Sequence, residues 1–248
     1  MSNKKRRLTK EERDEAANHL QKESMQRIEQ QIQVNIHPKT KNQKSFTESI
    51  RKNQITIGCG LAGTGKTILS VAESLKILKD PQNNINKIIL VKSVTPLKDE
   101  EIGYLKGNID DKMEPFMYSF MSNFYKIIGK KLSDMLLQND MIEILPLAYI
   151  RGMSIDNSII IADESQNISI SNMKTLMTRL GTNTKLIIIG DSNQIDMKNK
   201  KMSSLEKVCE HFVNIEHIGI LFFDSYDQQR NPLINLIEEI FDTKIEPR

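Results

Sequence analysis

The chain has 248 residues, 38% hydrophobic and 27% charged, a length and balance suited to one sizeable α/β domain or a domain with an appendage. Its 35 basic and 32 acidic residues leave a formal charge of +3, too nearly balanced to argue for nucleic acid on charge alone. Aromatics at 5% with no Trp speak against base recognition dominated by stacking, and Cys59 and Cys209, far apart and in no CxxC pair, read as two reduced thiols.

Residues 1–39 are dominated by charge, Gln and Asn. Lys4-Lys5-Arg6-Arg7 is followed by no apolar run, so it is not a secretory signal. No stretch approaches the ~18 apolar residues of a membrane span. A cytoplasmic protein with no membrane partner is therefore expected. Leu20, Met25, Ile28 and Ile32 recur at helical spacing, which predicts a charged, solvated helical arm over 1–39. An arm that contacts RNA or another subunit is the sharper alternative.

From residue 40 to 248 the texture is that of a single domain. Short β-branched runs alternate with helical patterns, the signature of βαβ units and a mostly parallel central sheet flanked by helices. Strands are expected at Ile55–Cys59, Lys87–Val91, Ile142–Leu145, Ser158–Ala162, Lys185–Ile189 and roughly Glu216–Phe223. Helices are expected at Thr67–Lys79, around Lys112–Ile128, Ser171–Leu180, Ser203–His211 and Pro232–Phe241, with Asp80-Pro81 as the stop of the first.

Between the first strand and the first of these helices stands Gly60-Leu61-Ala62-Gly63-Thr64-Gly65-Lys66-Thr67. This is the phosphate-loop pattern in its proper context. Gly60, Gly63 and Gly65 let the backbone curl so that successive N–H groups, Leu61, Ala62 and Thr64 included, face phosphate oxygens. The helix N-terminus adds positive potential. Lys66 would reach the β and γ phosphates, and the Thr67 hydroxyl would bind Mg²⁺.

A second metal anchor should end a buried strand beside that loop. Ile159-Ile160-Ile161-Ala162-Asp163-Glu164 supplies it. Asp163 would hold the metal through its water shell, and Glu164 is placed to polarise an attacking water. Binding alone needs no second acid, so Glu164 points to hydrolysis. A third strand end, Ile189-Gly190-Asp191-Ser192-Asn193-Gln194, offers Gln194 as a γ-phosphate sensor, with Asp191 as a rival or as the cap of the next turn.

Taken together, these segments resemble the PhoH family of P-loop ATPases, which are related to the motor core of superfamily-one helicases. The resemblance runs from Thr40 to Asp242. Lys41-Asn42-Gln43 is similar to the family's adenine-side glutamine motif, and the P-loop has Leu61 where the family usually has Pro. Ile102-Gly103-Tyr104-Leu105-Lys106-Gly107 with Lys112-Met113-Glu114-Pro115 resembles a further family segment. Pro146 to Gly152, Asp163-Glu164-Ser165-Gln166-Asn167, Thr178-Arg179-Leu180-Gly181 and Gly190 to Asp196 match four more motifs in order. Two departures stand out. Val91-Lys92-Ser93-Val94-Thr95 replaces the usual Arg-Pro pair, and Gln229-Arg230-Asn231-Pro232-Leu233 has Asn for the usual His.

The resemblance implies a RecA-like ATPase that binds ATP and Mg²⁺. It tilts Gln43 towards the adenine edge, a residue otherwise equally readable as a polar group at a helix N-terminus. Phosphoryl transfer also asks for a cation at the γ-phosphate. Arg151, Arg179 and Arg230 fall in matched motifs. The resemblance favours Arg230 as the finger, with Arg179 as its rival. Residues 40–248 leave no room for the second lobe of a two-lobed helicase, so a homo-oligomeric ring, a hexamer above all, is expected to complete the site. Two functions stay open: a motor acting on RNA or single-stranded nucleic acid, supported by basic clusters at Lys4–Arg7, Lys126–Lys131 and Lys198–Lys201, or an ATPase switch or assembly module acting on a protein partner.

Overall fold

The computed structural model describes Thr9, His19 and residues 23–92, 109–197, 199–229 and 231–241. Among these residues six strands form one sheet: β1 (Ile55–Gly60), β2 (Lys87–Lys92), β3 (Ile142–Pro146), β4 (Ser158–Asp163), β5 (Lys185–Gly190) and β6 (Ile218–Phe223). All neighbours pair in parallel, in the order β3-β2-β4-β5-β1-β6. Every expected strand is present, each within two residues of its expected limits. The fold is α/β, with β5 standing between the P-loop strand β1 and the acidic strand β4.

The helices are α1 (residues 23–30), α2 (Lys41–Lys52), α3 (Lys66–Lys79), α4 (Ile109–Ile128), α5 (Lys130–Gln138), α6 (Ile170–Met177), α7 (Leu205–His211) and α8 (Pro232–Ile240). Two of them, α2 and α5, are absent from the sequence-based helices. In α2 only Phe46 and Ile50 carry an apolar signal, and both are fully buried. What marks this helix is its start, where Thr40 and Gln43 form a reciprocal capping box.

The strands alternate their side chains between two cores, as period-two geometry demands. Helices α1 to α5 cover one face, where Phe46, Leu75, Phe124 and Leu136 meet Leu90, Ile159, Ile161, Ile187 and Ile189. Helices α6 and α7 cover the other, where Met173, Leu176, Leu205 and Val208 meet Ile57, Ile89, Ile160 and Ile188. Each such side chain contributes roughly 1.5–3 kcal/mol by leaving water.

The described part of the N-terminal arm corrects the expectation of a solvated helix. Ile28 and Ile32 lie in the first core. Lys79 Nζ donates to the Ile32 carbonyl at 2.7 Å, fastening the arm to the end of α3. The arm's Leu20, Met25, Ile28 and Ile32 spacing thus marks a buried stripe as far as Met25, Ile28 and Ile32 are concerned.

Chain order and strand order together place the site. From β1 the chain leaves through α3 towards β2, on one side; from β5 it leaves through α7 towards β6, on the other. The two departures open a crevice at the carboxyl ends of adjacent strands, the usual ligand position in an open parallel sheet. Asp163 at the end of β4, Asp191 just past β5, and the loop after β1 therefore stand side by side.

Candidate nucleotide site

The loop after β1 folds as its glycines require. Gly60, Gly63 and Gly65 have φ of 138°, 74° and 85°, conformations that side chains rarely adopt. A Cβ on Gly60 would overlap the Phe223 carbonyl of β6. Gly65 caps α3 in the left-handed conformation and offers no side-chain cap, so the first-turn N–H groups face the cleft.

A cleft of about 550 Å³ lies over this loop. Its walls include the loop from Ala62 to Ile68, Asp163, Glu164, Asp191, Gln194 and Gln229. On the α4 side they include Asn123 and the exposed Lys126.

Lys66 is buried, and its Nζ donates to the carbonyls of Gly60 and Leu61, both at 2.7 Å. Burial depresses its pKa, opposed by the carboxylates of Asp191, Asp163 and Glu164 and by Cys59. An ammonium already desolvated and held on the loop can exchange those carbonyls for phosphate oxygens at little further cost.

Thr67 Oγ1 lies 3.1 Å from Asp163 Oδ2, so the expected metal pair is assembled. One hydroxyl and one carboxylate are hard oxygen donors. They are too few for an all-protein cage, and fit Mg²⁺, which keeps most of its shell as water and phosphate oxygen. Asp163 Oδ1 also accepts the Glu164 N–H at 2.9 Å, which fixes the carboxylate plane.

Glu164 adopts φ 51°, ψ 38°, an uncommon left-handed conformation for a residue with a side chain. That twist turns its carboxylate into the cleft, where Gln166 holds it. Gln166 is fully buried. Its Nε2 donates to Glu164 Oε2 at 2.7 Å and to the Gln194 carbonyl at 3.1 Å. Its Oε1 accepts the Asp191 N–H at 3.1 Å. One amide therefore ties the acid of the β4 end to the loop after β5. Gln194 itself is exposed on the cleft wall.

Asp191 does two jobs. Its Oδ1 caps the following turn through the Asn193 N–H at 3.0 Å, and its Oδ2 accepts the Ala62 N–H of the phosphate loop at 2.9 Å. The capping role was open in the sequence; the loop clasp was not visible there.

Gln43 is buried with its amide engaged inside the protein. Oε1 accepts the Lys39 N–H at 2.7 Å, and Nε2 donates to the Thr64 carbonyl at 3.0 Å. This geometry is that of a helix N-terminal residue that also steadies the phosphate loop. Beside it, Asp227 accepts from the Thr40 hydroxyl, from Asn42 Nδ2 at 2.8 Å, and from the Asp224 N–H at 3.1 Å. Burial alone would raise the Asp227 pKa; these hydrogen bonds outweigh it and hold the carboxyl below its ordinary range. Two residues on, the Gln229 N–H donates to the Gly63 carbonyl at 3.0 Å. Sequence reasoning missed Gln166, Asp227 and Gln229 as site residues. The spacing of Thr40 with Gln43, and of Asp224 with Asp227, are capping-box signals that could have marked the last two segments.

The arginines part company. Arg230 lies outside the described residues. Arg151 is exposed after β3, two strands from β4. The Arg179 carbonyl accepts the Ile155 N–H, ahead of the start of β4. About 20 Å of strand therefore separates its backbone from Asp163. Its NH2 group donates to the Thr178 hydroxyl at 3.3 Å, and its Nε is buried with no partner among the described residues. Of the basic clusters, Lys4–Arg7 and Lys198 also lie outside the described residues, as does Ile102–Gly107.

The two cysteines, unrelated in sequence, meet beneath the loop. Both are buried and free. A hydrogen bond from Cys209 lowers the Cys59 thiol to about 7 against the opposing effect of burial, while the same bond and burial push Cys209 up.

A phosphate loop after β1, with a hydroxyl–carboxylate pair and a pinned glutamate at the end of β4, one strand away across β5, defines a P-loop nucleoside triphosphatase. Comparison with known proteins narrows the class. The family model for PhoH-like protein matches residues 35–242, and the chain belongs to that family. It is 35% identical over 207 residues to a PhoH-like protein of Bacillus subtilis, covering 84% of this chain and 64% of that one. It is 32% identical over 193 residues to protein PhoH of Escherichia coli, covering 77% and 54%. The chain thus spans between half and two thirds of the length of these relatives. Likeness to solved structures is weak. The SWI2/SNF2 ATPase core of Sulfolobus solfataricus, in complex with dsDNA, matches at TM-score 0.40 and 15% identity over 71% of this chain and 37% of that one.

Proposed function

We propose that this P-loop ATPase hydrolyses ATP with Mg²⁺ in the cleft above β1, β5 and β4 and uses the cycle to act on RNA or another single strand as a ring-shaped assembly. The observation that carries the hydrolytic part is the Glu164 carboxylate, set beside the Thr67–Asp163 pair and held by the buried amide of Gln166. In this reading the N–H groups of Gly63 to Thr67 and the Lys66 ammonium bind the β and γ phosphates. Thr67 and Asp163 hold the metal, which when bound neutralises phosphate charge. Glu164 orients and polarises the attacking water. Gln194 borders the γ-phosphate position and follows its loss. Gln43 acts on the phosphate loop through Thr64 rather than on adenine. Arg230 in the same chain, or Arg179 from another copy, supplies the cation for the developing charge.

Support for a single strand comes from the cleft edge. Lys126 is exposed on the cleft wall, and Lys130 and Lys131 follow it, exposed, at the start of α5. Tyr118 on α4 and Tyr149 after β3 are 73% and 49% exposed, and exposed aromatics are surfaces on which a flexible strand can stack. No described helix is long and apolar enough to cross a membrane.

The test is steady-state ATPase of the wild type and of Glu164→Gln, each with and without single-stranded RNA. RNA should accelerate the wild type, less so as salt rises, and Glu164→Gln should bind ATP and fall silent. Turnover indifferent to RNA at low salt would transfer the function to a switch or assembly role on a protein partner.

A further inference from the structure

Helix α8 reads Pro-Leu-Ile-Asn-Leu-Ile-Glu-Glu-Ile, followed by Phe241. Leu233, Leu236, Ile237 and Ile240 recur at helical spacing, and Ile234 and Phe241 widen the same stripe. Yet among the described residues most of the stripe is left exposed: Leu233, Leu236, Ile237 and Phe241 are 45–57% exposed, and Ile240 is half-buried. An amphipathic helix of this length is not stable on its own in water; it needs a surface for its apolar face. The two carboxylates at Glu238 and Glu239 are its only charges.

The complementary surface is on the same molecule, elsewhere. Between α6, α7 and the starts of β1 and β6 lies an open apolar groove of about 530 Å³, walled by Ile170, Met177, Val208, Phe212 and Ile218. Its rim carries Lys174, Lys207 and His211, and among the described residues no acidic side chain lines it. An apolar helix whose charged residues, Glu238 and Glu239, are both acidic matches an apolar groove rimmed by cations, the helix-in-groove mode of recognition.

We propose that α8 of one copy docks in the α6–α7 groove of the next copy, and that this head-to-tail contact builds the ring. The proposal rests on the ring part of the function above and assigns its interface. The surfaces are different patches, so the contact is heterologous, and such contacts close into rings or run on as filaments. Each side of the junction is wired to an ATP site. Upstream of α8, the Gln229 N–H is bonded to Gly63 of its own phosphate loop. On the receiving side, α6 starts three residues after Asn167, directly downstream of Glu164 and Gln166. The state of one cleft thus reaches the neighbour's catalytic turn through a single helix.

Sedimentation velocity of the full chain tests this. The wild type should be a concentration-dependent oligomer. Leu236→Asp/Ile237→Asp in α8, or Ile170→Asp/Met177→Asp in the groove, should weaken self-association at least about a hundredfold while ATP binding persists. Mixed one to one, the two variants share a single intact junction, so they should pair as a dimer and grow no further. A synthetic peptide of residues 231–242 should compete with assembly of the unmodified protein, which decides the matter even if a groove variant fails to fold. A wild type that stays monomeric at all concentrations overturns the ring itself. An oligomer indifferent to both variants and to the peptide overturns only this interface. Variants that dissociate but do not rescue each other replace it with like-on-like packing of α8.

Discussion

Replacing Gln166 by Met keeps the volume and removes every hydrogen bond. Three are lost: the charge-assisted bond to Glu164, the bond to the Gln194 carbonyl, and the bond from the Asp191 N–H. Neutral bonds contribute about 1 kcal/mol each and bonds to charged groups about 1.5–3 kcal/mol. Glu164 is only half-buried, so water recovers part of the last. The Asp191 N–H is buried and becomes an orphan, which weighs most. A cost of about 3 kcal/mol follows, and at 2–4 °C per kcal/mol for a domain of this size the melting temperature should fall by roughly 6–12 °C. The catalytic effect is separate. Glu164 loses the group that, among the described residues, hydrogen-bonds its carboxylate, and displacement of about 1 Å at a water-orienting acid costs on the order of 100-fold in kcat. Nucleotide binding should change little, because the phosphate loop is held by Asp191, Gln43 and Gln229 through other bonds. Melting curves, a fluorescent ATP analogue and steady-state turnover measure the three quantities. Turnover at the wild-type rate, or a loss confined to affinity, would refute the positioning role.

Gly190→Ala attacks the same amide by steric means, since its Cβ would stand 2.5 Å from Gln166 Oε1 and 2.8 Å from Leu205 Cδ2; it should mimic Gln166→Met in kcat and lower the melting temperature too. Gly60→Ala should abolish ATP binding or folding altogether, because the new carbon meets the β6 backbone and φ is 138°, and soluble protein with normal affinity would contradict the geometry. Asp227 has a depressed folded-state pKa, so its contribution is present above the unfolded carboxylate value of about 3.9 and is lost as pH falls through the lower folded value. Asp227→Asn should therefore lower stability at pH 7 and flatten acid unfolding below pH 4; an unchanged acid limb would show that the Thr40 and Asn42 contacts carry no weight.

Much of the site was legible because its chemistry is local. Gly60 to Thr67 is one continuous loop whose glycines are dictated by its own backbone, and Asp163-Glu164 ends a strand that reads as apolar from end to end. The β-branched runs announced the strands for the same reason: β1, β4 and β5 are buried on both faces, and the edge strands β3 and β6 are half-buried. Helix α2 escaped because its polar surface dilutes two apolar positions, and the arm was misjudged because Ile28 and Ile32 are too few to show what they pack against. Contacts between distant segments were decided only by the tertiary structure. Strand order puts β5 between β4 and β1, and only that order lets Asp191 reach Ala62 across 129 positions and Gln166 bridge 25 to the Asp191 N–H. The clamp of Asp227 on Thr40 spans 187 positions, and the meeting of Cys59 with Cys209 is of the same kind. A sequence encodes what a residue asks of its neighbours in the chain. Which distant group answers is settled when the sheet closes and the buried polar atoms must find partners.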